Sequence, residues 1–204
     1  TLFPYTTLFR SRLTSHPMDP SAGVASEADL ACLAAALAGN QGVLSGSERR
    51  ALAMAGRRAP PPSLVAGARR EILRGRDPLG DAFVAIRTPE RRRRDGAVYT
   101  PDPIARPMVL WLAGHGPPAR IVDCGAGSGR FALLAADTFP RAQIVAVEKD
   151  PLAALVLRAN LAVRGLHRRV TVLIDDFRAI DLPRIRGRTR SEEHTSELQS
   201  RQSI

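Results

Sequence analysis

The sequence predicts an α/β chain: an incomplete doubly wound, Rossmann-like sheet preceded by a small α-helical segment. Two observations carry this. Three β-rich runs, 121–124, 143–148 and 170–175, alternate with helical stretches, and continuous apolar strands set between helices indicate a parallel sheet covered on both faces. A glycine-rich turn, Asp123-Cys124-Gly125-Ala126-Gly127-Ser128-Gly129, joins the first run directly to the helix that begins near Arg130. Right-handed crossovers then set the local topology.

The elements follow in order. From Ser26 to Gly39 an Ala- and Leu-rich run opens on a Ser-x-x-Asp capping pattern and closes at a glycine, which reads as a helix. A second, short helix is expected after Ser47, stopping near Gly56. Beyond the prolines at 60–62, the stretch 63–75 places Leu64, Ala68, Ile72 and Leu73 on one face and ends at Gly75. Asp77 and Pro78 start a further helix, and Arg91 to Arg94 fall in a polar connection. Asp102 reads as an N-cap with Pro103 at the first helical position, and Pro107 is a point where that helix can kink. The helices before residue 96 read as a cap on the sheet and not as a separate enzyme.

No apolar run approaches eighteen residues in the 204, so a membrane-spanning helix is excluded. The formal net charge of +10 and the pI near 11.2 favour a polyanionic partner. All but one of the thirty basic residues are arginine, Lys149 being the exception; a GC-rich gene produces the same bias as phosphate recognition. Cys32, Cys124 and four scattered histidines give neither metal-ligand spacing nor a disulfide framework. A reduced, cytoplasmic protein without a metal is the expectation.

Both ends read as foreign. Thr1 to Ser11 (TLFPYTTLFRS) and Arg190 to Ser200 (RSEEHTSELQS) look like sequencing-library adapters translated in frame. The expected organisation is an adapter-derived tail at 1–11, a helical segment at 12–95, the front half of an α/β domain at 96–189 and a second adapter-derived tail at 190–204. On this reading the chain is a gene fragment whose native start and end are not marked.

The glycine loop stands where nucleotide-like ligands meet a parallel sheet. Glycines turn sharply and admit a ligand without a Cβ in the way, and the following helix start offers free N–H donors; the alternative is a tight strand-to-helix turn and nothing more. Glu148, at the end of the second strand, is placed to accept ribose hydroxyls. Asp176-Phe177, closing the third, suit an adenine amine and ring face, or else a helix cap and a core Phe. Asp123 can face a cationic or amine group. Adenosine, an amine, a carboxylate and a positive centre together describe S-adenosylmethionine. The nicotinamide fingerprint needs a glycine where Arg130 stands, which weakens a dehydrogenase reading.

With these residues in place, 96–182 resembles the class I S-adenosylmethionine-dependent methyltransferases, and more narrowly the N6-adenine DNA methylases of restriction-modification systems. Asp123, Gly127, Ser128, Gly129 and Phe131 fall in register with the family's Asp-Pro-x-Cys-Gly-Ser-Gly-x-Phe, while Cys124-Gly125-Ala126 departs from it. Gly96-Ala97-Val98-Tyr99-Thr100-Pro101 looks like the family's Gly-x-Tyr-Tyr-Thr-Pro element. The resemblance implies a cofactor site of Tyr99, Thr100, Pro101, Asp123, Gly125, Gly127, Gly129, Glu148, Asp176 and Phe177. Thr100 and Asp123 would attend the amino-acid part, Glu148 the ribose, and Asp176 with Phe177 the adenine. It also implies DNA as partner, together with a restriction or specificity subunit or domain. The family's acceptor element, Asn or Asp followed by Pro-Pro and an aromatic, is absent, so no catalytic residue is assigned and the fragment alone is expected to be inactive. Rival readings are a class I methyltransferase acting on ribosomal RNA or protein, a nicotinamide-dependent oxidoreductase, and a non-catalytic nucleic-acid-binding module resting on the arginines.

Overall fold

A computed structural model of the chain describes residues 23–39, 44–55, 59–94 and 100–180. Both terminal strings and Tyr99 lie outside the described residues, as does the junction between the helical and α/β segments.

Helix α1 (Glu27–Ala38) begins as the sequence dictates. The Ser26 hydroxyl accepts from the Asp29 amide, and the Asp29 carboxylate takes the Ser26 hydroxyl and the Ala25 amide in return, so orphan donors of the first turn are satisfied reciprocally. Helix α2 (Gly46–Ala55) starts two residues earlier than expected. Ser45 and Glu48 form its capping box, Glu48 N to Ser45 Oγ at 3.1 Å and Ser45 N to Glu48 Oε2 at 2.7 Å; the expected start at Ser47 overlooked that Ser-x-x-Glu pattern. Helix α3 (Pro62–Leu73) buries Ala68 and Ile72 but leaves Leu73 62% exposed, against expectation. Residues 68 and 72 share a face, whereas 73 is turned about 100° from its neighbour. Helix α4 (Pro78–Ile86) is capped by Asp77 and buries Leu79, Ala82 and Phe83. The expected polar connection after it is a short helix, α5 (Pro89–Arg94), whose Arg91 amide is taken by the Thr88 hydroxyl at 3.2 Å. Thr88 before Pro89 was the missed start signal. Helix α6 (Asp102–Ala113) runs through Pro107, with Pro101 and not Asp102 at the N-cap.

The sheet comprises β1 (Arg120–Cys124), β2 (Gln143–Val147) and β3 (Val170–Leu173), all parallel, in the order β1-β2-β3. Helix α7 (Arg130–Thr138) connects the first pair and α8 (Pro151–Val163) the second. Among the described residues β1 is paired on one side only. Strand β2 is central, and its last four residues are buried.

Helix α8 holds the two parts together. Leu152, Leu155, Val156 and Ala159 join the apolar cluster of α1, α3 and α4, while Leu157 and Leu161 join that of α6, α7 and the sheet. A helix apolar around its whole circumference must be covered on all sides, and the helical segment supplies the cover the sheet does not. A buried ion pair, Arg158 to Glu48 at 2.5 Å, fixes the same contact.

Candidate functional site

The C-terminal ends of the strands open into a cleft of about 1330 Å³. The glycine loop lines it because Gly125 and Gly127 hold φ of 78° and 57°, left-handed values that a side chain resists. The amides of Gly125 and Ala126 both donate to the Val147 carbonyl, at 2.8 and 2.9 Å, which locks the loop to the end of β2.

Glu148, 8% exposed, lies in the cleft wall with both carboxylate oxygens in use: one accepts from Gly127 N and the other from Asp150 N, each at 2.8 Å. It therefore shapes the loop as well as facing the cleft, and a carboxylate with about four acceptor sites retains room for further donors. Asp150 caps α8 through Leu152 N and Ala153 N. It is gripped by Arg87, whose Nε reaches Glu27 at 2.7 Å and whose guanidinium lies 4.1 Å over the Phe83 ring. Arg87 is 5% exposed.

Asp123 accepts from Ala132 N at 3.0 Å, in the first turn of α7. Burial pushes its carboxyl up to about 6, against the relief of that bond and with the Glu148 charge adding to the rise. No ion pair reaches it among the described residues. A desolvated carboxylate beside a second one and without a cation is a receptor for positive charge.

Thr100, Asp123, Gly125, Gly127, Glu148, Asp176 and Phe177 all line this cleft. Gly129 and Pro101 do not. Gly129 holds φ 92° at the α7 N-cap, and a Cβ there would fall 2.2 Å from Leu157 Cδ1, so its duty is close packing on α8. Pro101 caps α6, its carbonyl accepting from Ile104 N and Ala105 N. Asp176 and Phe177 lie in a turn past the end of β3 at Leu173 and not at the close of the strand. The Asp176 carboxylate is held below its ordinary range by the Arg178 side chain, which it accepts from together with the Arg178 amide.

Sequence reasoning missed the opposite wall. Glu27, Ala28 and Ala31 of α1, with Phe83, Arg87 and Arg91, face the cleft from the helical segment. It also missed Arg130, whose guanidinium holds the Thr100 carbonyl at 3.1 Å and pairs with Asp77 and Asp81. Only contacts across 30 to 60 residues reveal them.

A parallel sheet in this order, with the glycine loop after its first strand and a carboxylate following its second, is consistent with an incomplete Rossmann-like methyltransferase fold. The relatives the chain resembles are named methyltransferases. The chain is similar to the Type II methyltransferase M.XamI of Xanthomonas campestris pv. amaranthicola, 58% identical over 113 residues, which are 55% of this chain and 20% of that protein. It is also similar to the release factor glutamine methyltransferase of Moorella thermoacetica, 46% identical over 59 residues (29% and 21%). A tRNA1(Val) (adenine(37)-N6)-methyltransferase of Porphyromonas gingivalis is 34% identical over 73 residues (36% and 29%). The chain spans about a fifth of the length of the first two. No family model matches it. No helix among the described residues is long and apolar enough to cross a membrane.

Proposed function

We propose that this chain is the cofactor-binding part of a DNA adenine-N6 methyltransferase of the restriction-modification type, working in a reduced cytoplasmic setting on S-adenosylmethionine. The observation that carries the cofactor is Asp123: a half-buried carboxylate, unpaired by any cation among the described residues and pushed up to about 6, at the mouth of a left-handed glycine loop. Such a site fits a ligand that brings its own positive charge to a carboxylate and its own carboxylate to a helix start. When bound, S-adenosylmethionine supplies an electrophilic methyl on a sulfonium centre. The residues that would hold it are Thr100, Asp123, Gly125, Gly127, Glu148, Asp176 and Phe177, which share the cleft. Glu148 would take the ribose through acceptor sites its two backbone partners leave free, and Phe177 would offer a ring face to the adenine.

DNA as substrate rests on the Type II relative, on the Tyr99-Thr100-Pro101 sequence and on the +10 charge. That match, over 113 residues, is longer than the whole span 96–189 and so extends beyond the α/β segment; the matches to enzymes named for a release factor and a tRNA are shorter. The sequence holds no Asn or Asp followed by Pro-Pro and an aromatic, the element that would present a flipped adenine, so no catalytic residue is proposed.

The test is a thermal-shift titration of the chain with S-adenosylhomocysteine and, separately, NAD. Stabilisation by the first alone is expected, as a ligand binding only the folded form must stabilise it; stabilisation by NAD alone would overturn the reading in favour of an oxidoreductase.

A further inference from the structure

Asp77 belongs to no ligand motif and does not line the cleft, yet four donors converge on its carboxylate, one from its own helix cap and three from two distant parts of the chain. Gly80 N donates at 2.9 Å within the α4 cap. Ser128 Oγ, in the glycine loop, lies at 2.5 Å. Asn160 Nδ2, on α8, is at 3.0 Å and also donates to the Ser128 carbonyl at 3.0 Å. Arg130 Nη2 closes the set at 3.5 Å. Ser128 is 2% exposed and Asn160 fully buried, so water does not substitute for these bonds.

Two further facts show that the site is built for close approach. A Cβ at Gly80 would stand 2.1 Å from Asp77 Oδ2 and 2.7 Å from Ser128 Oγ, so only glycine lets α4 come this near the loop. Ser128 itself sits between Gly127 and Gly129, both in left-handed conformations. Glycines are the residues freest to leave such conformations. The one side chain between them is therefore where the loop can be clamped.

We propose that Asp77 is a positioning residue for the cofactor loop: from the helical segment it fixes Ser128, and through Ser128 the backbone of Gly127 and Gly129. Only a carboxylate offers two oxygens able to take all four donors at once. The helical segment is then part of the cofactor site's scaffold and not an appended module. The ligand readout rests on the function proposed above, whereas the loop readout does not.

The test compares Asp77→Asn, Asp77→Ala and Leu79→Ala with the unaltered chain. S-adenosylhomocysteine affinity is measured by calorimetry, melting temperature by calorimetric scan, and amide exchange of Gly127 and Gly129 by NMR. Asparagine still caps α4, so Asp77→Asn is expected to keep its melting temperature within a few degrees of the parent. Its affinity should fall about tenfold, the factor one charge-assisted hydrogen bond carries, and exchange at Gly127 and Gly129 should quicken. Leu79→Ala removes a buried core side chain in the first turn of α4 and is expected to lower the melting temperature while the folded chain keeps its affinity. Equal affinity and equal exchange in Asp77→Asn overturn the proposal, and so does a matching affinity loss in Leu79→Ala. If Asp77→Ala does not fold, Asp77→Asn decides. If the unaltered chain binds no S-adenosylhomocysteine, the functional reading falls and exchange alone decides: faster in Asp77→Asn supports the clamp, unchanged refutes it.

Discussion

At Asp123 binding and stability oppose each other. Its folded carboxyl titrates near 6 against an ordinary 3.8, so the folded state holds the proton more tightly than the unfolded one. Its contribution to stability is present below about pH 3.8 and lost as pH rises through 6. Partial exposure to solvent screens the full shift, leaving about 1 to 3 kcal/mol at stake at neutral pH. Asp123→Asn is accordingly expected to raise stability by that amount in urea titrations at pH 7.5, to leave it unchanged at pH 3.5, and to weaken S-adenosylhomocysteine binding. A variant no more stable than the parent at pH 7.5 would show that Asp123 is not strained in the unliganded chain. Glu148 works in the opposite direction, because two backbone amides depend on it. Glu148→Ala is expected to cost about 1.5 to 3 kcal/mol in S-adenosylhomocysteine affinity, measured by calorimetry, and unchanged affinity in a folded variant would remove Glu148 from the site.

At the scale of elements, the junction of α7 with α8 governs how near the loop lies to the sheet. Gly129 combines φ 92° with a Cβ position 2.2 Å from Leu157 Cδ1, and Leu157 is fully buried. Gly129→Ala therefore meets both backbone strain and a clash in a core that cannot yield, and is expected to destabilise by about 2 to 4 kcal/mol. Adding Leu157→Ala removes the clash but not the strain, so a double-mutant cycle in chemical denaturation should show a favourable coupling above about 0.5 kcal/mol. Strict additivity would mean that the two residues do not meet.

At the scale of the whole molecule, the sheet has two open edges among the described residues, β1 and β3. Strand β1 has a single neighbour, and its sequence, RIVDC, carries no proline or lysine at the edge. Beside it in sequence, Ile104, Met108 and Trp111 of α6 are each more than half exposed and follow helical spacing. Unpaired strand groups and exposed apolar surface each template association. Light scattering is expected to show self-association rising with concentration, and assays with radioactive S-adenosylmethionine are expected to show no transfer to DNA. A soluble monomer that labels DNA would overturn both. Deleting 1–11 and 190–204 is expected to change stability by less than about 0.5 kcal/mol; a larger loss on thermal melting would mean that one of these strings is part of the folded structure.

What the sequence determined by itself was local. The α1 cap, the glycine loop, the three strands and their alternation with helices are written in neighbouring residues, because capping, left-handed glycines and apolar runs act over a few positions. The cleft residues Asp123 and Glu148 were legible for the same reason: they stand at or just past strand ends, which can be read from a run of apolar residues, whereas Asp176 and Phe177 lie in a turn beyond β3. Tertiary structure alone decided what the helical segment is for. That Leu73 faces water, that Glu48 meets Arg158, that Arg87 holds Asp150, and that Asp77 reaches Ser128 and Asn160 all depend on where α8 lies between two apolar clusters. A carboxylate's partners at separations of 51 and 83 residues leave no period or spacing in the chain; only the packing of buried surfaces brings them together.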